Sequence, residues 1–324
     1  MIIVTGGAGF IGSALVWKLN EEDISDILVV DELGTDEKWK NLVGRRFAEY
    51  EEKDRFLAAV QADTLPRNIE AVIHLGACSA TTERNASYLV ANNYQYTQAL
   101  AQWAVQKGVR FIYASSAATY GDGAQGFDDN DALIPDLQPL NMYGYSKQLF
   151  DLWAIRNGVD KQTAGIKFFN VYGPNEYHKG FMTSLVNTAY GQIKETGTLK
   201  LFRSERPEYA DGEQKRDFVY VKDCVNVLYW LLQNPTANGI FNLGSGKARS
   251  WNDLASAIFA AMDRERNVTY VDLPDTLKGK YQYFTEATTT KLRGLGCPMD
   301  FPSLEERVTD YVRGYLRREA DPYL

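Results

Sequence analysis

An α/β fold built on a doubly wound parallel sheet, with a smaller mixed α/β lobe woven into the C-terminal half, is predicted by three observations. The chain opens with an apolar strand, Ile2-Ile3-Val4, that breaks into the turn Gly6-Gly7-Ala8-Gly9-Phe10-Ile11-Gly12 and then a helical pattern over 13–20. Apolar runs and helical stretches go on alternating as far as Asn170, the order in which crossover helices join parallel strands. After Asn170-Val171-Tyr172-Gly173-Pro174 the alternation stops, and short strands and helices follow without a linker, internal repeat or low-complexity tract. The expected division is one unit over 1–169, rejoined by segments near 217–242, and a second predominantly over 170–324.

The bulk composition removes several function classes. A chain of 324 residues with a net charge of −7 has the length for two lobes but no basic surplus to hold a nucleic-acid backbone. Cys78, Cys224 and Cys297 are odd in number, scattered and without C-x-x-C spacing, so they read as reduced thiols in or near the core. His74 and His178, the only histidines, cannot complete a zinc cluster with them, and no metal site is expected. His74 lies in the run Ala71-Val72-Ile73-His74-Leu75, where a hydrogen-bonded core histidine is expected. No apolar run reaches the ~18–20 residues of a membrane span and no signal-peptide pattern opens the chain, so a cytoplasmic protein is expected.

The glycine turn carries the first chemistry. Gly6, Gly9 and Gly12 let the backbone approach a pyrophosphate, which the following helix N-terminus favours electrostatically. The next strand, Ile27-Leu28-Val29-Val30, ends in Asp31, about 20 residues after the last glycine, where this fingerprint places a carboxylate for an adenosine ribose. A bound dinucleotide follows from that order of strand, turn, helix, strand and acid. Its 2′ substituent is left open: Asp31 and Glu32 repel a phosphate there, while Lys38 on the same loop can pair with one, and Lys53 is either part of that rim or a solvated lysine.

The strand over 71–75 runs into Gly76-Ala77-Cys78-Ser79, small residues against which a ligand can lie. Asn92 and Asn93 sit in an apolar helix beginning near Tyr88 and need partners, such as the next loop or a water. The strand Phe111-Ile112-Tyr113-Ala114 delivers Ser115-Ser116 at its C-terminal end, the position where open parallel sheets hold ligands. A loop over 121–140, rich in Asp, Gly and Pro, leads into Tyr143-Gly144-Tyr145-Ser146-Lys147. There a phenol and an ammonium share a helix face, so Lys147 is expected to lower the pKa of Tyr143, with Ser116 as third member of a proton-handling trio. A Y-x-x-x-K alone reads first as an ordinary amphipathic helix; the glycine turn and Ser116 are what give it meaning. Strands are further expected over 165–170, at Lys200-Leu201-Phe202, over 215–221 returning to the first lobe, and over 240–244. Helices are expected over 225–232, from about Asn252, and from Ser303 to about Leu316.

These motifs together resemble the extended short-chain dehydrogenase/reductase family of nucleotide-sugar epimerases, and more narrowly its branch acting on ADP-heptoses. The specific runs are 76–83, Asn92-Asn93-Tyr94-Gln95-Tyr96, 113–121, His178-Lys179-Gly180, 215–221 and Lys278-Gly279-Lys280-Tyr281-Gln282. The resemblance implies a tightly bound nicotinamide cofactor, NADP with NAD as the alternative. Its contacts would be Phe10, Ile11, Asp31, Glu32, Lys38, Lys53, Leu75, Gly76, Ala77, Cys78, Ser79, Asn92, Lys147, Val171 and Lys179. It implies Tyr143 and Lys179 as the acid/base residues, and Asn170, Phe202, Arg216 and Tyr281 as contacts to the nucleotide-sugar, with Phe181 and Thr188 near the sugar. The planar fork of Arg216 suits a pair of pyrophosphate oxygens, although an ion pair within its own strand would also use it.

The implied reaction is inversion at carbon 6 of an ADP-heptose by hydride removal and return through a ketone, supplying heptose for lipopolysaccharide. The implied assembly is a homo-oligomer, with a pentameric ring as the suggested form. Glu32 stands where such relatives carry an amide, Leu75 where they carry glutamate, and Phe181 and Thr188 where they carry serine and histidine. Alternative readings are a UDP-hexose 4-epimerase, which the same trio could serve, and a non-catalytic dinucleotide sensor. A 4,6-dehydratase fits less well, because Ser116-Ala117-Ala118-Thr119-Tyr120 lacks an Asp-Glu pair.

Overall fold

The computed structural model describes residues 1–275, 281–318 and 321–324. Its first part alternates as the apolar pattern requires: β1 (Ile2–Thr5), α1 (Phe10–Glu21), β2 (Ile27–Asp31), β3 (Glu49–Glu52), α2 (Lys53–Gln61), β4 (Ala71–His74), α3 (Ala86–Leu89), α4 (Tyr96–Lys107), β5 (Arg110–Ser116), α5 (Met142–Arg156) and β6 (Thr163–Phe168). Then come β7 (Asn170–Tyr172), α6 (Leu185–Thr196), β8 (Leu199–Phe202), β9 (Lys215–Tyr220), α7 (Val221–Gln233), β10 (Gly239–Leu243), β11 (Ala248–Ser250), α8 (Trp251–Ala261), β12 (Val268–Val271), α9 (Thr290–Gly294) and α10 (Leu304–Tyr311).

The main sheet has the order β10-β6-β5-β4-β1-β2-β3, and every adjacent pair in it is parallel. Chain order reverses between β1 and β4, so a crevice opens at the C-terminal ends of those two strands, where such sheets bind ligands. Both faces are covered. Val4, Val29, Ile73 and Ile166 pack with α1 and α7 on one side, while Ile3, Val30, Val72 and Phe111 pack with α2, α4 and α5 on the other. Burial on both faces explains why these strands read as continuous apolar runs rather than as alternating ones.

The second half forms its own core from α6, α8 and α10 around Ile193, Ile258 and Val308. Serines cap all three helices, and Ser250 and Ser303 each close a reciprocal capping box, with Asp253 and Glu306 respectively. The expectation that the strand over 215–221 rejoins the first sheet is corrected here. β9 lies between β7 and β11 in a separate three-stranded sheet, and the elements that return are α7, packed on α1, and β10, paired with β6. An apolar strand carries no label saying which sheet it joins. β3 and α6 are not anticipated by the sequence patterns. The sequence of β3, Glu-Tyr-Glu-Glu, is that of an exposed sheet edge and lacks the apolar run that marks an interior strand.

His74 is the core histidine expected. Its Nδ1 lies 2.6 Å from Thr5 Oγ1 and its Nε2 2.8 Å from Thr97 Oγ1, linking β4 to β1 and α4. Burial, aided by the Lys147 charge, pushes its pKa down to about 3. The unfolded chain binds this proton near pH 6.5 and the folded chain does not. The contribution is therefore complete above 6.5 and is lost as pH falls from there toward 3. In an NMR titration the His74 ring should show no midpoint near 6.5; a midpoint there would mean that the imidazole is not held neutral by burial.

Candidate functional site

The crevice begins at the glycine turn. Gly6 has φ +66°, and a Cβ on it would stand 2.6 Å from the backbone nitrogen of Gly76. At Gly12 a Cβ would stand 2.0 Å from the carbonyl oxygen of Gly6, so a side chain there would wedge the turn open. α1 starts at Gly9 without any side-chain cap, which leaves its first N–H groups for an anion. Gly6, Gly9, Phe10, Ile11 and Gly12 all line a cleft of about 810 Å³. Leu75, Gly76, Ala77, Cys78 and Ser79 form the facing wall.

At the far end the cleft shares Asp31, Lys38 and Gly76 with a second pocket of about 330 Å³ that also takes in Glu32, Lys53 and Asn92. Asp31, Glu32 and Asp36 face Lys38 and Lys53 on this rim. Asp31 accepts from the backbone N–H groups of Ala8 and Glu32 at 2.8 and 2.7 Å and from Lys38 Nζ at 2.9 Å. Lys53 Nζ lies 2.5 Å from Glu32 and donates to Asn92 Oδ1 at 3.1 Å, so it is a partnered rim residue. The Lys53 hydrogen bond holds Glu32 below the usual carboxylate range; burial opposes the Lys53 charge, but Glu32 outweighs it and raises its pKa.

Asn93 does tether a loop, though the preceding one rather than the next. It sits where the helix widens into a π turn over Val90–Gln95. From there it accepts from Cys78 N–H and donates to the Cys78 carbonyl, both at 2.9 Å, and to Ser146 Oγ at 3.0 Å. One buried amide thus fixes the loop after β4 to the helix that carries Tyr143.

α5 starts at Asn141, whose side chain accepts from Gly144 N–H at 2.8 Å. Ser116, Tyr143 and Lys147 line the middle of the cleft together. Ser116 stands beside Tyr143 in the cleft and accepts from Ala118 N–H at 3.1 Å. The expected lowering of the phenol pKa by Lys147 is corrected: Lys147 Nζ donates to the Ala114 carbonyl at 2.9 Å, and burial raises Tyr143 while Ser116 pulls it down. Burial also lowers Lys147 to about 8, the nearby Asp151 working the other way.

Lys179 enters from the turn Tyr177–Met182, whose Gly180 has φ +55°. Its ammonium lies 5.3 Å from the centre of the Phe10 ring, and burial lowers its pKa while Glu176 raises it. Asn170, Val171 and Phe181 also line the cleft, Phe181 at 85% exposure. Thr188 does not reach it; its hydroxyl donates to the Ser184 carbonyl on an exposed side of α6 at 3.1 Å. Phe202, Arg216 and Tyr281 gather just beyond. The Arg216 guanidinium lies 5.2 Å from the Tyr281 ring and 5.7 Å from Trp251, and Phe202 meets Tyr281 edge-on at 6.3 Å. Arg216 donates to the Lys215 carbonyl at 2.8 Å and to the Gln282 carbonyl, rather than to a carboxylate of its strand. Trp251 joins this cluster to the cleft, since it lines the cleft and donates to Tyr281 Oη at 2.8 Å. Sequence patterns alone miss Trp251 and the wall made by α6; a tryptophan at a helix start carries no local sign of a ligand. Lys278, Gly279 and Lys280 lie outside the described residues. Among those described, no group of three His, Cys, Asp or Glu could hold a metal ion, and no helix is long and apolar enough to cross a membrane.

A doubly wound sheet with an open glycine turn and a Ser/Tyr/Lys cleft is the apparatus of a dinucleotide-dependent sugar-modifying enzyme. The chain belongs to the NAD dependent epimerase/dehydratase family, whose model matches residues 2–244. It is 61% identical over 324 residues, all of both chains, to the ADP-L-glycero-D-manno-heptose-6-epimerase of Nitratidesulfovibrio vulgaris strain DP4. To the protein of that name from Fusobacterium nucleatum it is 51% identical, again over all of both chains. The crystal structure of Helicobacter pylori ADP-L-glycero-D-manno-heptose-6-epimerase superposes with a TM-score of 0.80 at 28% identity, covering 97% of this chain and 95% of that one.

The residues present fit a dinucleotide: an uncapped helix start, glycines without room for a Cβ, and a charged rim at the adenosine end. Gly12→Ala should strip the protein of bound dinucleotide, measured in the supernatant of the denatured protein. Retention at the wild-type level would show that the turn has another purpose.

Proposed function

We propose that this chain interconverts ADP-D-glycero-β-D-manno-heptose and ADP-L-glycero-β-D-manno-heptose by inverting carbon 6 of the sugar, a step in lipopolysaccharide heptose supply. The observation that carries this reading is the meeting of two proton-handling side chains, Tyr143 and Lys179, in one cleft from separate parts of the chain. An oxidation alone needs one such group; returning hydrogen to the opposite face calls for a second in a different place. Residues 1–169, with β10 returning, are read as the dinucleotide-binding unit, and 170–324 predominantly as the nucleotide-sugar unit.

Carbon 6 bears no acidic hydrogen, so direct proton removal would leave an unstabilised carbanion, and the route runs through a ketone. When bound, a nicotinamide ring would supply the hydride acceptor and donor and, in its oxidised form, a positive charge in the cleft. Tyr143, with Ser116 beside it, takes the hydroxyl proton in one sugar orientation. Lys147 keeps its ammonium on the Ala114 carbonyl, one turn along α5 from the phenol. Lys179 gives the proton to the ketone oxygen in the other orientation. Arg216, Asn170, Phe202 and Tyr281 anchor the nucleotide, so only the sugar end turns.

NADP is the preferred cofactor in this proposal, because Lys38 and Lys53 stand at the adenosine rim within reach of a 2′-phosphate and need only exchange their carboxylate partners for it. Lys38→Ala should lower the ratio of NADP to NAD recovered from the purified protein; an unchanged ratio would argue for NAD. The assembly is proposed to be a homo-oligomer.

Purified protein without added cofactor, given either ADP-heptose epimer, should yield a mixture of both by NMR. Tyr143→Phe and Lys179→Ala should each slow this by about 10²–10⁴-fold while the fold persists. Conversion of UDP-hexoses with none of ADP-heptose would move the assignment to a 4-epimerase.

A further inference from the structure

Glu176 is fully buried at the base of the loop that carries Lys179, and the reaction just derived does not use it. Its carboxylate gathers donors from three parts of the chain. Gly173 N–H, at the end of β7, donates to Oε1 at 3.3 Å; Ser184 donates from N–H to Oε2 and from Oγ to Oε1, both at 2.6 Å; Tyr311 Oη, on α10, donates to Oε1 at 3.0 Å. Gly173 and Ser184 are the two ends of the loop. Between them stand His178, Lys179, Phe181, Met182 and Thr183, all lining the cleft. A single carboxylate therefore closes the loop, ties it to the C-terminal helix, and sits at the start of α6, where a negative charge is favoured. Lys179 N–H also donates to the Glu176 carbonyl at 3.1 Å, which sets the distance between the two residues. No ion pair to Glu176 or to Lys179 is present among the described residues.

We infer that Glu176 is a positioning residue for Lys179, holding its loop at the cleft. This rests on the acid/base assignment of Lys179 proposed above. Burial lowers the Lys179 pKa and Glu176 opposes that. Removing the Glu176 charge lets the ammonium lose its proton at lower pH, so the basic limb of the pH–rate profile moves toward acid. The other titratable groups lining the cleft are Asp31, Asp36 and Lys38 on the adenosine side, Cys78 after β4, Tyr143 and Lys147 on α5, Tyr172 on β7 and His178 beside Lys179, while Tyr311 meets Glu176 from α10. Lys179 itself feels Glu176 and burial.

The test is a double-mutant cycle on the full-length holoprotein with ADP-heptose, using Glu176→Gln, Lys179→Ala and the pair. Glu176→Gln should lower kcat by about 10²-fold, as misplacement of a reacting group does. The substrate KM should change little and the basic limb should shift to lower pH. In the Lys179→Ala background the same change should cost nothing further. The inference is overturned if Glu176→Gln lowers the Tm but leaves the basic limb in place, or if it slows Lys179→Ala by the factor it slows wild type. Should Glu176→Gln not fold, Ser184→Ala, which removes one donor and keeps the charge, goes through the same rate cycle. A loss that disappears in the Lys179→Ala background then supports the inference, and an additive loss overturns it. Wild-type activity in Lys179→Ala alone would instead remove the assignment on which the inference stands.

Discussion

The carboxylate of Asp151 is the point from which the geometry of the cleft hangs. It lies on α5, one turn beyond Lys147, without exposure to solvent, and three groups reach it from the sheet beneath: Tyr113 Oη at 3.1 Å, Ser115 Oγ at 2.7 Å and Lys167 Nζ at 2.7 Å. Tyr113 and Ser115 belong to β5 and Lys167 to β6, so one side chain binds the helix to two adjacent strands. Lys167 also donates to Thr119 Oγ1 at 2.7 Å, which draws the segment after Ser116 into the same network. Severing such a buried pair by removing one partner typically costs about 3–5 kcal/mol, because the other charge stays behind unpaired. The hold on α5 is correspondingly firm, and Tyr143 and Lys147 inherit their place from it.

The same use of buried polar groups recurs around the cleft. Asn93 clamps the loop after β4, Asp217 gathers the N–H groups of Ser245, Gly246 and Ala287, and Glu176 closes the loop of Lys179. Each is a buried acceptor that brings together backbone from segments distant in the chain, and each lies outside the apolar layers. Hydrophobic packing is non-directional and fixes which faces meet. Hydrogen bonds to a buried carboxylate or amide fix where a loop stops, because an unsatisfied partner there is costly. The walls of the cleft are built in this second way.

Much of the first unit was legible in the sequence. Its strands are buried on both faces and so appear as apolar runs, and its glycine turn is a matter of backbone clearance that glycine alone satisfies. Tyr143, Lys147 and Ser116 could be named because their spacing and order are local. Lys179 and the nucleotide contacts came from resemblance rather than from spacing. The partner of Lys147 was not legible: four residues of separation puts its ammonium near the phenol, but the Ala114 carbonyl of the neighbouring strand competes for it and wins in this structure.

The sequence by itself determined the doubly wound sheet, the glycine turn and the trio Ser116, Tyr143 and Lys147, since these depend on side-chain periodicity and on short-range sterics. Only the tertiary structure decided that β9 joins a separate small sheet, that Thr188 points away from the cleft while Trp251 lines it, and that Arg216 lies between two aromatic rings. Those outcomes depend on which distant segments pack together. A strand or a helix start looks the same in sequence whichever neighbour it meets, and the choice is made by the summed burial and hydrogen bonding of the whole chain.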